Sequence, residues 1–411
     1  MSLDPKQIRK DFPRYNDHDS LYEGMPLVYL DNSATTFKPY SVIEAENDYY
    51  KNFTANTRRG DYSLAHQADR AFDNARKTIA RFINSDFEET CFTSGDTRGR
   101  NEIAYGLLSQ FNPGDEILIS PEEHASNVLP WFNVAKLTKA VIKYVPLDEH
   151  GRLTVESFKK SLSNKTKVVS LASVSNVMGY SLPVKEFASL AHSVGAIYVD
   201  DAAQSAPHRK IDVKDSDVDF LAFSGHKRCG PTGIGILYGK KKRLEKISPV
   251  LYGGERNARF NSKGDVSLDD FPYRREAGTQ NVAGALGLAK ACEYVSSVGF
   301  DAIHEHERKL RKLAIKGLKE NGNGILYNED ADSGIITFNI KDVFSQDVAT
   351  YLSSKGVFVR SGQHCAKILP EILNVPGTVR ASLYRYNTED DIQAFVKACS
   401  TAEDFLDAFF H

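Results

Sequence analysis

The chain has 411 residues, 41 % hydrophobic and 26 % charged, with 52 basic against 54 acidic side chains and a formal net charge of −2. That balance suggests neither nucleic acid nor a charged membrane surface as a partner, and no run of about 18 apolar residues is present to span a bilayer. The length suits two domains, or one large α/β unit with an appendage. Apolar spacing predicts a helix over 71–82, a strand over 89–93 and a helix over 101–109. Apolar, β-branched strands follow at 116–120, 141–145, 168–172 and 197–200, with helical segments between most of them. A further short apolar strand runs into Ser224-Gly-His-Lys227. This alternation predicts a doubly wound, mostly parallel α/β sheet with helices on both faces. After about residue 285 the character changes. A long helical stretch runs from Ala283 towards Asn321. A strand over 334–340, a helix over 345–355 and short strands over 357–360 and 378–383 follow, and a helix over 388–410 closes the chain. The division read from this is a large domain over 25–285 and a smaller α+β domain made of 1–24 and 286–411.

The N-terminal Met1-Ser-Leu-Asp-Pro-Lys6 lacks the apolar core of a signal peptide. Five scattered cysteines, at 91, 229, 292, 365 and 399, form no CxxC pair and predict no metal site. They read as free thiols of a reducing, cytoplasmic protein.

Ligands of open α/β sheets bind beyond the carboxyl ends of the strands. Two strands end there, one in Asp201 and one at Lys227, delivering an acid and an amine to the same edge. Pyridoxal phosphate chemistry needs that pair: the lysine forms a Schiff base, and the carboxylate keeps a proton on the pyridine nitrogen. Asp96-Thr97 follows a strand and opens a helix. Its backbone N–H groups and the Thr97 hydroxyl make an anion site suited to a phosphate, although a plain helix cap has the same sequence. Ser224 and His226 flank the lysine as further phosphate donors. His124, just after a strand end, falls over one face of the ring, where an imidazole stacks and moves protons. Gln204 lies within reach of the cofactor's phenolate oxygen.

With these residues in view, positions 20–410 resemble fold-type I pyridoxal phosphate enzymes of the class V aminotransferase group, and within it the SUF-type cysteine desulfurases. The resemblance is carried by Leu30-Asp-Asn-Ser-Ala-Thr-Thr36, Glu123-His-Ala-Ser-Asn-Val-Leu-Pro-Trp131 and Ser173-Val-Ser-Asn-Val-Met-Gly179. Ser224-Gly-His-Lys227, Glu276-Ala-Gly-Thr-Gln-Asn281, Arg360-Ser-Gly-Gln-His-Cys-Ala366 and Arg380-Ala-Ser-Leu-Tyr384 add to it. It implies a seven-stranded mixed, mostly parallel sheet. It implies that Arg380 binds the substrate carboxylate with Asn176 close by, and that Asn32 and Ala34 line the substrate side. Thr279 would reach the phosphate of a neighbouring subunit, hence a homodimer. The implied activity converts L-cysteine to L-alanine. Lys227 takes the α-proton, and Cys365 attacks the substrate sulfur and carries it as a persulfide to an acceptor protein, for iron–sulfur assembly or another thiolation. Arg360 and His364, beside Cys365, would favour its thiolate.

Several charged residues depart from that pattern: Arg58, Asp96, Arg98, Arg100, Arg228, Glu255, Arg256 and Arg275. Charge is costly to bury unless paired. One expectation is a reorganised ion-pair network around a working site, for example Asp96 with Arg98. The alternatives are a β-lyase, selenocysteine-using or aminotransferase-like paralogue with another substrate, and a non-catalytic binding protein.

Overall fold

The computed structural model describes residues 3–18, 20–254 and 257–406; Glu255 and Arg256 lie outside them. Seven strands form the main sheet: β1 (Thr90–Thr93), β2 (Glu116–Ile119), β3 (Val141–Tyr144), β4 (Thr166–Ala172), β5 (Ile197–Asp201), β6 (Phe220–Ser224) and β7 (Gly235–Gly239). Their order is β1-β7-β6-β5-β4-β2-β3. The strands from β2 to β6 pair in parallel, and β7 runs antiparallel to both β6 and β1. Strands β1, β2, β5, β6 and β7 are buried along their whole length. This explains the unbroken apolar runs in the sequence, since helices cover both faces.

One face is covered by α1 (Tyr40–Asn52), α2 (Ser63–Ile83) and α7 (Val282–Val298), with α5 (Val155–Ser161) and α6 (Val184–Ser193) beside them. Helix α2 shows why: Ala65, Ala68, Phe72, Ala75, Ile79 and Ile83 recur at helical spacing and are all buried. The other face carries α3 (Asp96–Gly106) and α4 (Ala125–Thr138), which pack Ile103, Trp131 and Val134 against Ile117, Ile119, Val168 and Val199. Each fully buried large apolar side chain contributes roughly 1.5–3 kcal/mol. Helix α3 begins at Asp96, five residues before the predicted start. Its first turns are charged and yet largely buried, so they carry no apolar signal.

The helix expected from Ala283 towards Asn321 is two helices. Gly299, at φ +88°, separates α7 from α8 (Phe300–Asn321), a backbone conformation that suits only a residue without Cβ. The two pack differently. Helix α7 lies against α1 and α2, so the division at residue 285 falls inside a helix that belongs with the large sheet. Helix α8 packs on α10 (Glu389–Ser400) in the C-terminal unit. There β8 (Gly324–Leu326), β9 (Ile335–Ile340), β10 (Arg360–Gly362) and β11 (Thr378–Ser382) form an antiparallel sheet in the order β8-β9-β11-β10. Helix α9 (Ser345–Ser354) completes it.

Two more expectations change here. The strand predicted over 357–360 divides: Val357–Phe358 pairs in parallel with Val28–Tyr29, while Arg360 starts β10. Val28 and Leu30 sit in the apolar cluster of the C-terminal unit, so residues 28–30 pack with that unit rather than with the large sheet. The closing helix begins as read, with a Thr388–Asp391 capping box, but ends at Ser400. Residues 407–410 of the expected helix lie outside the described residues.

Candidate active site

Strands β5 and β6 end side by side, and the cleft between them and the C-terminal unit encloses a cavity of about 200 Å³. Its lining brings together Ala34, Asp96, Thr97, His124, Asn176, Asp201, Gln204, Ser224, His226, Lys227, Arg360 and Arg380. Ser33 and Ser126 join them, and the sequence reading had named neither. Thr97 and Ser126 share a 2.7 Å hydroxyl contact, which puts both hydroxyls at the start of α3.

Burial lowers the proton affinity of the Lys227 amine, against the pull of Asp201 and Asp96. An amine so placed is more readily nucleophilic. Asp201 is held from both sides: Oδ1 accepts the Ala203 N–H at 2.9 Å, and Oδ2 lies 3.3 Å from Arg100 Nε. His124 caps α4, its Nδ1 accepting the Ser126 N–H at 3.1 Å. The ring proton of the neutral imidazole therefore sits on Nε2. Burial, then the Lys227 charge, push the His124 pKa down to about 4, so near neutral pH it faces the cleft uncharged. Burial likewise pushes His226 down to about 4.

The substrate side is cationic. Arg360 on β10 and Arg380 on β11 sit directly opposite each other in the sheet register. Facing like charges repel, and a bound carboxylate relieves that repulsion. Arg380 is already oriented: Nη1 donates to Asn176 O at 2.8 Å and Nη2 to Asp31 Oδ1 at 3.2 Å. Asn176 donates in turn to His364 O at 2.9 Å.

Cys365 is exposed, and Arg360 Nη2 lies 3.4 Å from its sulfur. His364 is not its partner, contrary to expectation. The imidazole is buried and Nε2 contacts Thr378 Oγ1 at 2.9 Å, with burial pushing its pKa down to about 2. His364 and Cys365 both have left-handed backbones, φ +50° and +59°, a sparsely populated state for such residues. The Cys365 carbonyl accepts the Ala125 N–H at 2.7 Å and fixes the loop to the start of α4.

Asn32 lies outside the lining of the cleft, and Thr279, expected to serve a neighbouring subunit, stands apart from it. The Asn32 amide donates to Ser382 O at 2.7 Å and accepts from Tyr386 OH, so it ties strands together outside the cleft lining. Thr279 is exposed and lines a separate hollow with Ser94, Arg98 and Gln280.

The charged departures among the described residues pair with carboxylates, stack on rings or bond to carbonyls. Asp96 engages Arg100, its Oδ1 3.1 Å from Nε, while Arg98 takes Glu102 at 2.8 Å; the expected Asp96–Arg98 pair does not form. Arg58 stacks on Tyr273 at 3.5 Å and reaches Asp73. Arg275 donates to the carbonyls of Ser248 and Ile247. Arg228, fully buried, stacks on Phe82 at 3.7 Å and has no hydrogen-bond partner among the described residues.

The donor set fits pyridoxal phosphate. An amine, a carboxylate and a neutral imidazole surround one cavity, beside hydroxyls and backbone N–H groups at a helix start. Gln204 donates through Nε2 to Ser33 O, and its buried Oε1 has no partner among the described residues, a vacancy that a ring hydroxyl satisfies.

A family model for aminotransferase class-V matches residues 28–395. The chain belongs to that family. It is 44 % identical over 99 % of its length to a probable cysteine desulfurase of Halalkalibacterium halodurans, covering 100 % of that protein. It is 41 % identical over 98 % of its length to one of Staphylococcus aureus, covering 98 %. Among solved structures, the apo cysteine desulfurase of Thermococcus onnurineus superposes with a TM-score of 0.90 at 36 % identity, with 97 % of each chain covered. The Escherichia coli cysteine desulfurase CsdA, in an S-sulfonic acid form, gives 0.90 at 34 % identity, with 98 % of this chain and 99 % of that one covered. The fold is thus that of a class V aminotransferase-type enzyme, with the mixed seven-stranded sheet that the resemblance implies.

Proposed function

We propose that this protein is a pyridoxal phosphate-dependent cysteine desulfurase, turning L-cysteine into L-alanine and a persulfide on Cys365. One observation carries the reading. The exposed Cys365 thiol lies 3.4 Å from Arg360, which lines the same cleft as Lys227 and Arg380. Bound there, pyridoxal phosphate supplies an electron sink that acidifies the substrate Cα–H and weakens its Cβ–S bond.

The protein's own groups do the rest. Asp201 would hold the ring nitrogen, His124 would face the ring, and Ser224, His226, Thr97 and the α3 N-terminus would take the phosphate. Arg380, steadied by Asp31 and Asn176, binds the substrate carboxylate. Lys227 Nζ takes the Cα proton. Cys365 Sγ, as thiolate, attacks the substrate sulfur. The S–S bond forms as Cβ–S breaks, the electron pair left on Cβ takes a proton, and Lys227 returns a proton to Cα, giving alanine. An acceptor protein thiol then collects the exposed sulfur for iron–sulfur assembly or another thiolation. Homodimerisation belongs to the same proposal: Thr279 lies exposed in a hollow with Ser94 and Arg98, and in a homodimer it would serve the cofactor phosphate of the neighbouring subunit. The cysteines of the chain are free, in keeping with the reducing, cytoplasmic setting this reading assumes.

The test is product identity. Cofactor-supplemented protein is given L-cysteine and a reductant, and alanine is measured against pyruvate. Alanine formation that disappears in Cys365→Ala is expected. Pyruvate in its place makes the protein a β-lyase and sinks the persulfide step, as does alanine formation that Cys365→Ala leaves intact.

A further inference from the structure

Arg100 is the part of the site that the proposed reaction leaves unused. It is 2 % exposed and reaches from α3 to the floor of the cleft. Its Nε lies 3.1 and 3.2 Å from the two Asp96 oxygens and 3.3 Å from Asp201 Oδ2. Its Nη1 donates to Asn127 Oδ1 at 2.5 Å, and Nη2 donates to Asp200 O at 3.1 Å. Asn127 also accepts from Ser170 Oγ and donates to Glu123 Oε2 at 2.7 Å. The charged or titratable groups around the guanidinium are therefore Asp96 on its own helix, Asp200 and Asp201 on β5, and Glu123 and His124 before α4. Lys227, after β6, faces Asp96 and Asp201 from the cleft.

Each member of the pair alone harms a cofactor held here. A guanidinium on Asp201 draws negative charge from the carboxylate that must keep the ring nitrogen protonated. A carboxylate at position 96, in the first turn of the phosphate-facing helix, repels a phosphate. Together they cancel. Asp96 gives the cleft its backbone N–H, which bonds Ser224 Oγ at 2.8 Å, and turns its carboxylate onto Arg100.

We propose that Asp96 and Arg100 are a matched positioning pair for pyridoxal phosphate. Arg100 turns the Asp96 charge away from the phosphate and fixes Asp201 under the ring nitrogen, while Asp96 returns to Asp201 the negative charge that Arg100 alone withdraws. The inference rests on the cofactor reading above. Burial pushes the Asp96 carboxyl above its usual range and the Arg100 charge opposes that push, so Asp96 depends on Arg100 to keep its charge.

The test measures cofactor rather than turnover. Asp96→Thr, Arg100→Ile and the double variant are compared with the parent for pyridoxal phosphate affinity and for the pH midpoint of the bound cofactor's visible absorption. Thermal melting is followed on the same samples. Each single variant is expected to weaken affinity at least about tenfold and to move the midpoint by about one unit. The double variant is expected to return affinity to within about threefold of the parent. If Arg100→Ile does not fold, the near-isosteric Asp96→Asn, which keeps Arg100 and removes the opposing charge, carries the test through the midpoint alone. Single variants that match the parent overturn the pair, as does a double variant no better than the worse single. A parent that takes up no cofactor refutes the cofactor reading itself, and that result is read before any variant is made.

Discussion

Arg76 and Glu276 form a fully buried ion pair between α2 and the segment leading to Thr279, and Arg76→Met is expected to lower the melting temperature sharply. The pair is bidentate, Nη1–Oε1 2.6 Å and Nη2–Oε2 2.8 Å. Arg76 Nη1 also donates to Thr90 O at 2.7 Å, and Glu276 Oε1 accepts the Phe92 N–H at 2.8 Å, so the pair fastens β1 as well. Phe72, Phe87 and Phe92 surround the guanidinium. Methionine preserves most of the side-chain volume but removes the bidentate guanidinium from the buried Glu276 carboxylate, a loss of about 3–5 kcal/mol. Unfolding entropy of about 2.1 cal/mol/K per residue, taken over 411 residues, gives about 0.9 kcal/mol/K. The melting temperature should then fall by about 3–6 °C, read by scanning calorimetry. The double variant Arg76→Met, Glu276→Leu removes both charges and should recover to within about 2 °C of the parent. A single variant that melts within about 1 °C of the parent would refute the reasoning, because the bidentate pair would then contribute little to stability.

Replacing Arg380 by lysine removes the fork that reaches Asn176 and Asp31. It should raise KM for L-cysteine about tenfold or more in steady-state alanine assays; an unchanged KM with a fallen kcat would count against a carboxylate-binding role. Glu122 is buried with Oε2 unpartnered among the described residues, and burial raises its pKa to about 7. Between the ordinary carboxyl value and 7 the native state binds more protons than the unfolded chain, so stability is present below that window and lost as pH rises through it. Glu122→Gln should therefore gain on the order of 3 kcal/mol relative to the parent at pH 8 compared with pH 4. Equal effects of the substitution at both pH values, in denaturant titrations, would show that Glu122 does not titrate as described.

What the sequence conveyed, and what it hid, follows from how far each interaction reaches along the chain. Buried parallel strands print themselves as β-branched runs, and the residues at their carboxyl ends, Asp201 and Lys227, come with them. The strand Gly235–Gly239 was not read, because glycine at both ends argues against a strand. The structure gives the reason for one of them: a Cβ on Gly235 would lie 2.5 Å from the Phe223 carbonyl oxygen. Arg100 was visible only as an oddity, since a charged residue in a helix ordinarily faces water. Its partners Asn127, Asp200 and Asp201 are brought to it by the sheet, not by proximity in sequence. His364 was assigned to Cys365 because they are neighbours in the chain, whereas two consecutive left-handed residues turn the imidazole inward to Thr378.

The parallel pairing of Val28–Tyr29 with Val357–Phe358 bears on how the molecule is made. A chain synthesised from its N-terminus finishes the large sheet and α7 by residue 298, yet the edge at residue 28 must wait until residue 357 exists. Contacts of such sequence separation form late and slowly, since a long loop has to close before they repay its entropy. Ser33 and Ala34 follow that waiting edge, and Arg360 follows its partner. The wall of the cleft that carries Arg360 and Arg380 is thus assembled last, after the strands that carry Asp201 and Lys227 have folded. A nascent or truncated chain lacking the C-terminal unit can present Lys227 but not the arginines that admit an amino acid to it.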